Sequence, residues 1–113
     1  MVIKLLNIIP PSINHYWLGG GRRRYVSKRG VQFKKALALC AKGKVRLITD
    51  QVALSILWAT KDKRRRDVDN ILKPILDALN GVAYVDDSQV VELFVKKIQS
   101  TQDSLEIHIK ELP

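Results

Sequence analysis

The sequence predicts one α/β or α+β domain, a mixed β-sheet with two main helices packed on it. Two observations predict it. Two stretches repeat apolar residues at three- and four-residue spacing, and four shorter ones alternate apolar with polar or smaller positions. Their order is strand, helix, strand, helix, strand, strand, which lays the helices on a sheet. No internal repeat, low-complexity tail or composition break divides the chain, so residues 1–113 read as a single domain. With 46% of its residues apolar, the domain can bury a real core.

The first strand is expected from Val2 to Ile9, apolar on both sides and stopped by Pro10-Pro11, which lack the N–H a ladder needs. Ser12 to Leu18 reads as a loop. Gly19-Gly20-Gly21 and Arg22-Arg23-Arg24 then make a basic loop tip whose guanidinium groups can fork onto phosphates. Ser27 is placed to cap a helix ending near Ala41, with Phe33, Ala36, Leu37 and Cys40 as its buried stripe and Gly43 as its stop. Gln51 to Ala59 is the second strand. Val68 to Asn80 is the second helix, with Val68, Ile71, Leu72, Ile75, Leu76 and Leu79 as its apolar stripe and Gly81 as its stop. Asp67 is placed to cap its start. Pro74 falls inside and removes one backbone bond. Gln89 to Ile98, with Val91, Leu93 and Val95 on one face and Glu92 and Lys96 on the other, and Leu105 to Lys110 are the last strands. The short connection Ser100 to Asp103 predicts a hairpin between them.

The charge balance narrows the function classes. Twenty Lys and Arg stand against eleven Asp and Glu, a net charge of +9. This points to a polyanionic partner, above all nucleic acid. No apolar run approaches the ~20 residues of a membrane helix, and the N-terminus has no signal-peptide pattern. The single Cys40 permits no internal disulfide or cysteine-based metal site and sits among small apolar residues as an inert thiol. His15 and His108 are isolated and read as surface or strand histidines, and Ser12 and Ser88 show no histidine–acid partners. Tyr16, Trp17 and Tyr25 read either as packing residues or as platforms for unpaired bases. The expected location is the cytoplasm.

Against this background the stretch from Lys61 to Asp87 stands out. Lys63, Arg64, Arg65 and Arg66 run into Asp67 and Asp69, and five of the eleven carboxylates fall between Asp67 and Asp87. Carboxylates inside a cationic surface repel phosphate unless something neutralises them. A divalent ion with hard oxygen ligands does so, and it also supports phosphodiester cleavage. Asp69 and Lys73 are four residues apart and share a helix face. If the apolar piece Val82 to Val85 packs back along the helix, Asp86 and Asp87 return toward the first pair. The bland alternative is a capping acid, a surface ion pair and an acidic turn.

The whole string, Arg66-Asp67-Val68-Asp69-Asn70, Lys73, Asp77-Ala78-Leu79, Gly81 and Asp86-Asp87-Ser88-Gln89-Val90, resembles the signature of the RusA family of Holliday junction resolvases. Pro11-Ser12-Ile13-Asn14 is similar to that family's loop after the first strand. The resemblance implies a small homodimeric, bacterial or phage-encoded endodeoxyribonuclease that uses Mg2+ and resolves four-way DNA junctions by paired nicks. It implies that Asp67, Asp69 and Asp87 are catalytic and bind metal, with Lys73 as the catalytic lysine. Asp86 is a further metal-site acid in this reading, and Asn70 and Asn14 are supporting. Arg22, Arg23, Arg24, Lys63, Arg64, Arg65 and Arg66 are the expected nucleic-acid contacts. The alternatives are a non-catalytic basic DNA-binding module, a less selective nuclease for flapped or branched DNA, and an adaptor whose basic face binds an acidic protein.

Overall fold

The computed structural model describes residues 1–20 and 24–113, and the expected phosphate contacts Arg22 and Arg23 lie outside them. The chain forms an α+β domain. Its elements are β1 (Val2–Leu6), α1 (Ile13–Tyr16), β2 (Trp17–Leu18), β3 (Tyr25–Val26), α2 (Lys28–Ala41), β4 (Val52–Thr60), α3 (Asp69–Ala78), β5 (Val90–Gln99) and β6 (Ser104–Glu111). A 3-10 turn, Asp87–Gln89, precedes β5.

The main sheet has the order β1-β6-β4-β5. Strand β4 is central because its alternation is the cleanest: Val52, Leu54, Ile56 and Trp58 are all buried. It pairs antiparallel with β6 and parallel with β5. A parallel pair needs a crossover, and α3 lies in the crossover between β4 and β5. The expected hairpin between β5 and β6 does not form, since β4 lies between them. Ser100 to Asp103 instead spans the end of β4. The bridge is pinned by Ser100 N–H donating to the Thr60 carbonyl at 2.9 Å and by Lys61 N–H donating to Asp103 Oδ1 at 2.8 Å. Four residues reach across two strand spacings of about 5 Å each, so the short linker was compatible with either topology.

Strand β1 stops at Leu6, and only Ile3 and Leu5 are buried in it. The expectation of two covered faces fails because the helices cover one side of the sheet only. The apolar face expected in β5 holds only at Val95, which packs against the core. Leu93 is exposed, and Val91 falls at a register shift between Val52 and Ala53 of β4, where one extra residue turns the strand.

Helix α2 follows the sequence closely. Ser27 Oγ accepts from Gly30 N–H at 3.0 Å and donates to the His15 carbonyl at 2.5 Å, so one hydroxyl both caps α2 and ties it to α1. The seam is Gly30, Phe33, Leu37 and Ala41, with Ala36 and Cys40 half-buried at its side. Gly30 is required by a close approach: a Cβ there would lie 2.6 Å from Val26 Cγ1 and 2.9 Å from Tyr16 Cδ1. The segment read as a loop, Ser12 to Leu18, is the one-turn helix α1 followed by β2, which pairs with β3. Tyr16 is fully buried, so it packs in the interior and does not face bases.

Candidate active site

Every expected acidic residue lies on or beside α3. The helix begins at Asp69, and Val68 already has helical backbone, φ −61° and ψ −38°, but it is exposed and so falls out of the expected apolar stripe, which starts at Ile71. The Asp67 carbonyl, rather than its carboxylate, closes the preceding turn by accepting from Asn70 N–H at 3.2 Å. The expected side-chain cap is therefore absent. A capping side chain needs an extended backbone at the flanking position, and here the chain is helical one residue too early. The Asp67 carboxylate is left beside a cavity. Asp69 is exposed in the first turn of α3, where the helix dipole favours negative charge. Pro74 is buried inside the helix and simply omits its own backbone bond.

Lys73 lies one turn beyond Asp69. Its ammonium donates to Asp87 Oδ2 at 2.6 Å. The return of the second acidic pair, assumed from the sequence, is built by identifiable contacts. Helix α3 ends at Ala78, two residues short of the expected Asn80, and Gly81 turns the chain beyond the C-cap Leu79 at φ +79°, a conformation that favours glycine. Tyr84 is buried, and its hydroxyl donates to the Leu76 carbonyl at 2.6 Å, drawing residues 82–85 back along the helix. Burial, then the charges of Asp87, Asp77 and Asp86, hold that phenol well above its ordinary pKa, so it remains a donor.

Gln89 is the residue the sequence reading missed. Its Oε1 accepts from Val85 N–H at 2.9 Å and Asp86 N–H at 3.0 Å, and its Nε2 donates to the Ile48 and Asp50 carbonyls at 2.8 Å each. One side chain thus fixes the turn that carries Asp87. The signal was present, since an Asp with Gln three residues later is a capping box. Asp86 is the other half of that box. Its carboxylate accepts from Ser88 N–H at 3.0 Å, and hydrogen bonding from Ser88, its side chain first and then its backbone, holds it below the usual carboxylate pKa.

Asp67 and Asn70 line a cavity of about 430 Å3 together with Arg64, Arg65 and Arg66. Arg66 is anchored there by a 2.8 Å ion pair with Asp62. Lys97, from β5, donates to the Arg66 carbonyl at 2.5 Å and stands 5.9 Å from the centre of the Trp58 ring. Nothing in the sequence signals this contact, because β5 is brought beside Arg66 only by its pairing with β4. Ser12 and His15 line the same cavity, and their Oγ and Nδ1 lie 2.7 Å apart, a histidine partner for Ser12 that sequence spacing had not suggested. Lys63 is exposed nearby in the chain, and Asn14 is exposed on α1 away from the cavity lining. Arg24 stacks its guanidinium 5.2 Å from the centre of the Trp17 ring. Asp77 turns from Lys73 toward α1 and α2, where the Tyr16 hydroxyl donates to it and Lys34 approaches to 3.8 Å.

The donor chemistry of Asp67, Asp69 and Asp87 suits a hard divalent ion. Only Asp69 is on α3 itself; Asp67 precedes it and Asp87 comes from the 3-10 turn before β5. Among the described residues no three His, Cys, Asp or Glu side chains converge closely enough to hold an ion.

A family model for endodeoxyribonuclease RusA matches residues 8–110. The chain belongs to the RusA family. It is 35% identical over 107 residues to the crossover junction endodeoxyribonuclease RusA of Escherichia coli K12, covering 91% of this chain and 89% of that one. The enzyme of the same name from Enterobacteria phage 82 matches with the same identity and coverage. That of Enterobacteria phage HK97 is 33% identical over 82 residues, 71% of this chain and 68% of the relative. The RusA match spans α1 to β6 and so contains the whole site around α3. No helix among the described residues is long and apolar enough to cross a membrane.

Proposed function

We propose that the chain is a junction-resolving endodeoxyribonuclease that nicks four-way DNA with Mg2+ as its cofactor, acting as a cytoplasmic homodimer. The observation that carries this reading is the RusA match together with the Lys73–Asp87 contact on the face of α3 that also bears Asp69. An exposed ion pair contributes only about 0–1 kcal/mol, so stability alone gives weak reason for such a contact. Asp67, Asp69 and Asp87 are the carboxylates that would hold the ion, once its charge draws them together from their separated positions. The chemistry it supplies when bound is activation of a water and neutralisation of charge on phosphorus. Lys73 sits where an ammonium can meet charge building on the scissile phosphate. Asn70 and the Asp62-anchored Arg66 flank Asp67, and Asp86 and Gln89 position Asp87. The test is cleavage of a synthetic four-way junction with and without Mg2+, alongside duplex and flapped DNA. Binding without cleavage would instead support the non-catalytic module.

Cationic side chains around the cavity supply the substrate contacts. Among the described residues Arg64 and Arg65 make no ion pair, whereas Arg66 does. Replacing Arg64 and Arg65 by Ala is expected to weaken binding to every DNA shape. It should also flatten the slope of log K against log salt by up to about one unit per lost phosphate contact. Titrations at four or five salt concentrations measure it.

The homodimer is supported by β5. It is a ten-residue edge strand with Val91, Leu93 and Phe94 exposed, Phe94 at 61%. Edges so long and apolar are ordinarily paired or covered, and a second copy is an occupant that gives two like sites related by a two-fold axis. Leu93→Glu with Phe94→Glu is expected to shift the protein to monomer in sedimentation. With a cruciform plasmid, the wild type should yield linear product directly and the variant nicked circle first. A monomeric wild type that linearises the plasmid without accumulating nicked circle would overturn the dimer.

A further inference from the structure

The cavity beside Asp67 is more than a phosphate cleft. A track for a DNA backbone needs cations. This cavity also has an apolar wall of Ile9, Pro10, Trp58 and Ile71 facing its cationic rim of Arg29, Arg64 and Arg65. We propose that it receives one nucleotide unstacked from the branched DNA, with the base against the apolar wall and the phosphate on the arginines. The proposal rests on the nuclease reading only in taking DNA as the substrate.

Four observations carry it. The volume, about 430 Å3, lies in the range of roughly 300–1,000 Å3 typical of pockets that enclose a small molecule. Arg29, Arg64 and Arg65 make no ion pair among the described residues, so their guanidinium groups are available to an incoming phosphate. Trp58 is 1% exposed and its Nε1 is buried with no hydrogen-bond acceptor among the described residues. A buried indole N–H ordinarily has a partner; at 1% exposure Trp58 meets a base only where the cavity wall gives way as the nucleotide enters, and the carbonyl and ring nitrogens of a base are then acceptors of the right kind. At the rim the Ser12–His15 pair, 2.7 Å apart, offers further polar atoms to a base edge. Branched DNA favours such a step, because unstacking costs least where a base has already lost its regular neighbours.

The test uses the full chain and four-way junctions carrying 2-aminopurine at one position at a time near the crossover, in EDTA. With the wild type, fluorescence should rise several-fold at one position of each symmetry-related strand pair. Ser12→Phe puts a ring at the cavity rim, where Ser12 is only half-buried. It should abolish the rise and weaken junction binding about tenfold relative to duplex binding. Trp58→Phe keeps an aromatic wall and removes the donor. It should retain the rise while reducing discrimination among the four bases at that position by about tenfold. No rise at any position with the wild type, or an equal rise in Ser12→Phe, overturns the proposal. An unchanged base preference in folded Trp58→Phe overturns the part given to the indole. Because fluorescence is read without divalent ion, a failure here leaves cleavage by the wild type standing. Loss of the nuclease reading in Mg2+ assays leaves the fluorescence result standing in turn.

Discussion

Asp69→Asn is expected to lower junction cleavage by at least about a hundred- to a thousand-fold, the scale of losing one electrostatic partner of a transition state, while junction binding persists or tightens. The reason lies in its surroundings. Asp69 is exposed in the first turn of α3, so the amide fits the same space and the fold is not at stake. What disappears is one negative charge next to where the proposed site would receive the phosphodiester. For a metal ligand that loss removes affinity for a divalent ion. For DNA it removes a repulsion, set in a chain of net charge +9. Activity and affinity should therefore move in opposite directions, an outcome that a merely destabilised protein does not produce. Single-turnover cleavage across a Mg2+ titration, with binding measured in Ca2+ or EDTA, checks it. An Asp69→Asn protein that cuts at the wild-type rate would sink the metal assignment.

Lys73→Ala should reduce turnover of bound junction far more than affinity. The ammonium is half-exposed, with 50% of the side chain accessible, and its partner Asp87 is held independently by the Gln89 clamp and the Tyr84 hydroxyl. Removing Lys73 leaves that scaffold in place, and the exposed pair it breaks contributes about 1 kcal/mol at most. A large fall in single-turnover rate at saturating protein then reports an interaction made in the transition state. Lys73→Arg keeps the charge but changes the donor geometry. Partial recovery in that variant would separate charge from position. A variant that binds weakly but turns over bound junction normally would make Lys73 a phosphate anchor only.

The sequence by itself determined the elements whose cause is local. Ser27 caps α2 because a hydroxyl followed by a helical run has a donor to satisfy. Residues 52–60 form the central strand because Val52, Leu54, Ile56 and Trp58 all fall on one face. Gly81 turns the chain back two residues after the α3 C-cap, Leu79, because the backbone there needs positive φ. The acid-and-lysine string was legible for the same reason, since Asp69 and Lys73 are neighbours on any helix that contains both. Tertiary structure alone decided the rest. A four-residue linker is equally consistent with a hairpin and with a bridge across β4, and only the competition for the central position, won by the most apolar strand, chose between them. Tyr16 looked free to stack on bases until packing against Gly30 buried it. The Lys73–Asp87 contact depends on Tyr84 and Gln89 folding residues 82–89 back. The cavity joins Pro10, His15, Trp58 and Arg65, which no sequence period relates. Contacts across several elements follow from how the layers pack, and the pattern within any one element carries no record of its neighbours.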